Sequence, residues 1–185
     1  GTGAVTERGN GEGYGTSFNF PIDAFTEDES FLEIYEQSMR DIFEFFKPDV
    51  VITQNGADAH YFDPLTHLYG TMNIYQYIPK LARELANEYC GGKWIGVGGG
   101  GYDIWRVVPR AWSYVWLAMN DIPYPTGNIS DEWLEKYQQE APVQLVPTWD
   151  DPPNLYEPIP RTAEIQEKNA QMMKKALHII HKNNV

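Results

Sequence analysis

Two short apolar runs with a long helical pattern between them constrain the fold of this chain more than any other feature. The runs cover residues 50–52 and 94–97, and residues 71–89 and 104–119 carry the apolar spacing of helices. Because β-α-β-α alternation is typical of a parallel sheet with right-handed crossovers, we predict an α/β fold with helices on both faces of the sheet. Continuous apolar runs also indicate strands that are buried on both faces.

The flanking segments predict further elements from their local signals. Thr26 and Glu29 form a capping-box pattern, so we expect a helix that begins there. Alternating residues at 16–20 indicate a short strand. Ser130 and Thr162 are the expected N-caps of two later helices, the last of which carries an apolar face.

Composition narrows the possible functions. The formal net charge is −12 and the pI is about 4.6, which argues against a nucleic-acid partner. The single cysteine, Cys90, excludes an intramolecular disulfide and fits a reducing compartment, so we predict a cytoplasmic protein. No window of about 18 uninterrupted apolar residues exists, and no membrane span is expected. The first residues lack the pattern of a signal peptide and do not begin with Met, which indicates a trimmed chain or a piece of a longer one.

Two unusual loops follow the two predicted strands, at 55–70 and 98–102. Ligands of open parallel sheets bind beyond the carboxyl ends of the strands, so this coincidence predicts a functional site there. The first loop contains four candidate ligands for a divalent cation such as zinc, namely Asp58, His60, Asp63 and His67. The alternative is an acidic loop whose Asp residues stabilise turns.

The second loop is the run Gly98-Gly99-Gly100-Gly101-Tyr102. Four glycines allow a backbone to pass very close to a ligand. A tyrosine is a neutral hydrogen-bond donor at pH 7, suited to stabilising a developing oxyanion. The alternative is a strand-to-helix turn with a packed tyrosine.

The same glycines permit a competing interpretation as a dinucleotide-binding oxidoreductase domain. Residues 96–101 match the pattern G-x-G-x-x-G, and Asp121 lies 20 residues beyond Gly101. The dinucleotide fingerprint requires its acidic residue at the end of the second strand, whereas Asp121 follows a predicted helix. The match is therefore weak.

Three segments taken in order resemble the zinc-dependent histone deacetylases, and within them most closely the bacterial acetoin-utilisation deacetylases. The segments are Gly1-Thr2-Gly3 with the following glycine loop to Pro21, Pro48-Asp49-Val50 through Asp63-Pro64-Leu65, and Gly98 to Tyr102 followed by Arg110-Ala111-Trp112. The ordered match is far more specific than any of its motifs. It extends over nearly the whole chain, with the last 60 or so residues least diagnostic.

This resemblance implies an arginase/deacetylase-like fold of which residues 1–185 are the carboxyl-terminal portion only, as part of one domain. It matches Asp63 to a zinc ligand, Tyr102 to the catalytic tyrosine and Gly100 to a position that lines the acyl-lysine channel. Asp58 and His60 match no known ligand position. Gly70 stands where many relatives carry a leucine at the channel rim.

The resemblance also implies that the remaining zinc ligands precede this chain, because it contains no adjacent histidine pair and a catalytic zinc needs three protein ligands. In the intact protein, zinc would bind the substrate carbonyl and a water, and a histidine of the missing part would accept the water's proton. Substrates implied by the family are acylated proteins or small acyl-amines, an acylated acyl-CoA synthetase among them. The chain alone is expected to be inactive, and a non-catalytic subunit that completes another polypeptide's sheet stays an alternative.

Overall fold

The computed structural model describes residues 2–182 and contains one short sheet and five α-helices in the described part. After a 3₁₀ turn at Gly11–Gly13, the elements are α1 (Asp28–Phe46), β1 (Val51–Asn55), α2 (Met72–Cys90), β2 (Trp94–Gly98), α3 (Val108–Met119), α4 (Asp131–Gln138) and α5 (Thr162–Lys182). No helix among these residues is long and apolar enough to cross a membrane.

The two strands are parallel, as the alternation predicted. Val51 pairs with Trp94 and Asn55 with Gly98, and α2 connects the strands. The α/β class with a parallel sheet flanked by helices is therefore confirmed.

The predicted helices on both faces of the sheet, and the predicted burial of both faces, are not found among the described residues, where one face only is covered. Helix α3 covers the face of Gly96 and Gly98, where an added Cβ would lie 3.2–3.4 Å from its side chains. On the opposite face Ile52 is 68% exposed, and Ile95 and Val97 are also exposed. The described residues supply nothing that covers these apolar side chains.

Helix α2 forms where its caps predicted it. The Thr71 hydroxyl accepts a hydrogen bond from the amide of Asn73, and Gly91 ends the helix in the left-handed conformation at φ 59°. The helix buries Ile74 and Tyr75 against Tyr114 of α3. This cluster also contains Ala57 and Val107, which lie at the bases of the two loops expected to form the site.

Three local expectations were wrong because the surrounding fold, rather than the local sequence, decides the outcome. Thr26 does not cap α1; its buried hydroxyl donates to the carbonyl of Asp23 and accepts from the side-chain Nδ2 of Asn169. Residues 16–20 form no strand within the described chain, which offers them no neighbouring strand. Thr162 is the first residue of α5 and its hydroxyl is within hydrogen-bond distance of Glu27.

The last two helices otherwise follow the sequence pattern. Ser130 caps α4 by accepting from the amide of Trp133. Helix α5 packs its apolar face on α1, where Leu177 and Ile180 contact Ile34 in one buried cluster.

Candidate functional site

The two loops that follow the strands meet directly at the carboxyl edge of the sheet. The amide of Ala57 donates to the carbonyl of Gly100 at 2.6 Å. The predicted convergence of the loops is thus present in the structure, and it results from the parallel register that ends both strands at Asn55 and Gly98.

Close packing of these loops explains the glycine run. A Cβ on Gly99 would lie 2.6 Å from the backbone nitrogen of Gly56, and one on Gly100 would overlap the carboxylate of Asp58. Gly101 has φ +144°, a conformation that L side chains rarely adopt. The run therefore satisfies steric demands of the loop contact.

Substitution of these glycines is expected to have graded effects on stability. Gly99→Ala places its methyl group against the backbone of Gly56, which can shift only if the whole loop shifts with it. We therefore expect a loss of about 1–3 kcal/mol in the free energy of unfolding. Gly100→Ala is expected to cost less, because only the Asp58 side chain must turn aside. Urea unfolding measures both, with Gly13→Ala as a control whose nearest atom would be 3.6 Å away. Equal losses for Gly99→Ala and Gly13→Ala would contradict this packing.

Asp63 lies at the centre of the loop contact. Its carboxylate is buried, with the residue 6% exposed. Oδ1 accepts from the amides of Leu65 and Thr66 at 2.9 and 3.1 Å, and Oδ2 accepts from the amide of Tyr102 at 2.9 Å. Since a carboxylate offers about four acceptor positions, one position on Oδ2 is left for a further donor or a cation.

Tyr102 is joined to Asp63 through its backbone, while the residue itself is 52% exposed. The structure therefore brings together Asp63, Tyr102 and Gly100, the three residues predicted to share a site. Their individual roles remain predictions. Gly70 is buried beside His60, and an added Cβ would lie 2.7 Å from the carbonyl oxygen of Ala59, so it forms no exposed rim here.

The four candidate ligands of the first loop do not converge. His60 is fully buried and bound to Asp151, and His67 is exposed. No group of three His, Cys, Asp or Glu side chains in residues 2–182 could hold a metal ion. Asp63 fits the role of one oxygen ligand, but the described residues do not complete a zinc site.

The dinucleotide interpretation also lacks its acidic residue. Asp121 follows α3 rather than a strand, is exposed, and forms an ion pair with Arg83. Within residues 2–182, no strand follows the glycine run, so none ends in the acidic residue that would bind a ribose.

Sequence reasoning missed a buried charged cluster centred on Asp151, whose side chain is 3% exposed. Asp151 accepts from His60 Nε2 and from the amide of Met72, both at 2.8 Å, and from Arg110 Nη1 at 2.9 Å. Burial opposes ionisation, but the hydrogen bond from His60 and the charge of Arg110 outweigh it and lower the pKa of Asp151 to about 2. The sequence signal for this cluster was weak. His60 was a candidate metal ligand that matched no known ligand position, and no pattern in the sequence pointed to Asp151.

This lowered pKa predicts a specific dependence of stability on pH. An unfolded Asp ionises near pH 3.9, so the unfolded chain takes up the proton first as the pH falls. The stabilisation is complete above about pH 4, is lost between about pH 4 and 2, and amounts to roughly 2–3 kcal/mol. Urea unfolding at pH 5 and pH 2.5 measures it, and Asp151→Asn is expected to reduce the difference between the two values. An unchanged difference in that variant would assign the acid sensitivity to other carboxylates.

The loops that follow the two parallel strands place the buried carboxylate of Asp63 beside Tyr102, directly after the glycine run. This arrangement fits the class of protein that the sequence resembles. The histone deacetylase domain matches residues 1–119, and the chain belongs to this family. Among its relatives are acetoin utilization proteins AcuC. That of Bacillus subtilis (strain 168) is 61% identical over 97% of this chain and 46% of its own length. Those of Staphylococcus xylosus and Staphylococcus aureus (strain Mu50) are 44% and 46% identical, over 96% and 97% of this chain and 46% and 45% of their own lengths. The chain thus spans about half the length of these relatives.

Proposed function

We propose that residues 1–185 are the carboxyl-terminal portion of a deacetylase-like domain in a zinc-dependent amidohydrolase that removes acetyl or other acyl groups from lysine or related amines. Membership of the histone deacetylase family supports the general activity. The single observation that carries the proposal is the hydrogen bond from the Tyr102 amide to Asp63 Oδ2, which joins the two matched site residues.

Tyr102 has the chemistry to act on the reacting carbonyl. Hydrolysis of an amide passes through a tetrahedral intermediate whose oxygen carries negative charge, and a fixed neutral donor stabilises that charge. Tyr102 is half exposed, so a substrate can reach it, and its backbone is held by Asp63. The phenol O–H would donate to the oxyanion.

Asp63 would serve as one ligand to zinc through its remaining acceptor position. Its other positions hold its own turn through Leu65 and Thr66 and join that turn to the second loop through Tyr102. Its neighbours include no second or third ligand within the described part of the chain. The proposal therefore requires the other ligands to come from elsewhere in the full-length protein, and no catalytic step through zinc is derived from these residues. Gly100 would line the acyl-lysine channel with its backbone, because the Asp58 carboxylate takes the place of a side chain at this position.

The substrate class follows from resemblance rather than from a pocket. The name acetoin utilization protein of the relatives is compatible with a metabolic role in the cytoplasm, with acylated proteins such as an acyl-CoA synthetase, or small acyl-amines, as substrates. A net charge of −12 disfavours a nucleic-acid partner.

Acetate release from an acetyl-lysine peptide tests this function in the full-length protein. We expect release by the wild-type protein, loss of release after treatment with a chelator, and recovery when zinc is restored. Release that persists in the chelator-treated, metal-free protein would contradict zinc dependence. No release from any acyl-lysine peptide or acyl-amine would contradict the activity itself.

A second candidate is a non-catalytic chain that completes the sheet of another polypeptide. The exposed apolar face of Ile52, Ile95 and Val97 is an observation in favour of association with a further polypeptide segment. Size-exclusion chromatography of the chain with a separately expressed upstream half, followed by the acetate assay, distinguishes the two candidates. A stable but inactive complex would support the non-catalytic one.

A further inference from the structure

The buried carboxylate of Asp151 connects the two loops of the candidate site through two branches of contacts, one that starts at His60 and one that starts at Arg110. It lies in an irregular segment with six prolines between Pro142 and Pro160, far along the chain from both loops. Its three donors come from three different parts of the fold, namely His60, Arg110 and the amide of Met72 at the start of α2. A group that joins three elements in this way can set their relative positions.

The first branch leads to Asp63 through His60. His60 Nδ1 accepts from the amide of Phe62 at 3.1 Å, so the ring proton lies on Nε2 and is donated to Asp151. The carbonyl of His60 accepts from the amide of Asp63 at 2.8 Å. Both ring nitrogens of a fully buried imidazole are therefore used to hold the turn that presents the Asp63 carboxylate.

The second branch leads to Tyr102 through Arg110. While Nη1 of Arg110 donates to Asp151, its Nε donates to the carbonyl of Arg106 at 2.7 Å. Arg106 in turn donates through its Nε to Asp103 at 2.7 Å, and Asp103 directly follows Tyr102. The chain of contacts thus fixes the backbone that leaves the tyrosine.

The two branches also meet each other. The guanidinium carbon of Arg106 lies 3.9 Å from the centre of the Phe62 ring, and Phe62 directly precedes Asp63. The network therefore closes around the hydrogen bond between the Tyr102 amide and Asp63 Oδ2. Removal of the Asp151 charge leaves the buried Arg110 uncompensated and His60 without its acceptor, which loosens both branches together.

We propose that Asp151 is a positioning residue that fixes the positions of Asp63 and Tyr102 relative to each other. It acts on Asp63 through His60 and on Tyr102 through Arg110. Its effect on turnover rests on the proposed function. Its effect on the hydrogen bonds of Asp63 does not, so the two can be measured separately.

Hydrogen–deuterium exchange at single-amide resolution, measured on the full-length protein, tests the positioning. In Asp151→Asn we expect exchange to rise at least about tenfold at the amides of Leu65, Thr66 and Tyr102, which all donate to Asp63. The matched control is Asp150→Asn, which makes the same change of charge at an exposed neighbour bound to Gln76, and it should leave these amides unchanged. Unchanged exchange in a folded Asp151→Asn, or an equal rise in both variants, would overturn the proposal.

Should Asp151→Asn lose its native helix content, His60→Gln replaces it, because that variant keeps the ion pair of Asp151 with Arg110. The same rise in exchange at the Leu65 and Thr66 amides is expected. Native protection of both amides in folded His60→Gln would overturn the proposal.

Kinetics with an acetyl-lysine peptide supply the second readout. Since a displacement of about 1 Å can cost 10²-fold in rate, we expect kcat per folded molecule to fall about 10²-fold in Asp151→Asn while KM changes less than about threefold. A role in stability alone would leave kcat per folded molecule unchanged and would overturn the positioning role. A wild-type protein without deacetylase activity would refute the proposed function, and the exchange data would still decide the positioning.

Discussion

Tyr102→Phe in the full-length protein is expected to lower kcat for acetate release from an acetyl-lysine peptide by about 10²–10³-fold, the typical effect of removing one oxyanion donor. The substitution keeps the ring and removes only the phenol O–H. Because that hydrogen bond strengthens as negative charge develops, KM should change little. The residue is exposed, and its amide, which binds Asp63, is retained. Steady-state kinetics with metal content measured in parallel check the result.

The matched control for this variant is Tyr14→Phe, which removes the phenol O–H of a tyrosine that is also exposed. It should retain wild-type kcat. Wild-type turnover in Tyr102→Phe would exclude the phenol from catalysis, whereas a fall in metal content with the fall in rate would assign it a structural role.

Asp63→Asn is expected to weaken zinc binding by the full-length protein more than about 100-fold, since loss of an outer-shell partner alone costs 10–100-fold. The amide keeps the shape of the side chain but replaces one charged acceptor oxygen with a donor group. Either the Tyr102 amide or those of Leu65 and Thr66 then lose their acceptor. We therefore also expect a loss of about 1–3 kcal/mol in the free energy of unfolding.

Isothermal titration with zinc and urea unfolding measure these two effects. Asp58→Asn is the control, because Asp58 lies on the same loop beside Gly100 and matches no ligand position. Native zinc affinity in Asp63→Asn would remove Asp63 from the metal site. An equal loss of affinity in both variants would indicate a general effect of loop charge.

The elements around the sheet could be predicted because their signals are local. Helix α2 is bounded by Thr71 and Gly91, each of which acts within a few residues of its own position. The apolar runs of β1 and β2 and the helix between them define a parallel pair without knowledge of the rest of the fold.

Predictions that depended on distant neighbours were the ones that failed. Thr26 carries a capping pattern, but Asn169 and the carbonyl of Asp23 use its hydroxyl. The apolar runs predicted burial on both faces, yet Ile52 is exposed. Apolar character reflects the contacts that a strand makes, but the local sequence does not identify the segment that would make them. Among the described residues, no segment covers Ile52.

The site was predictable in part for the same reason. Strands that end at one edge bring the loops of Asp63 and Tyr102 together, and the sheet topology predicted that the loops meet. The choice of Asp63 among the four candidate ligands came from the family resemblance instead. The network of Asp151 was not predictable, because its carboxylate is 91 positions from His60 in a segment without periodic pattern. The sequence around His60 contains no signal that identifies Asp151 as its partner.

The central claim is that Asp63 and Tyr102 belong to a deacylase site that this chain contributes to but does not complete. Acetate release from an acetyl-lysine peptide, measured side by side for the full-length protein and for residues 1–185 alone, tests it most directly. The expected result is zinc-dependent release by the full-length protein and none by the shorter chain when its helix content is native by circular dichroism. Release by residues 1–185 alone, or by neither protein, would contradict the claim.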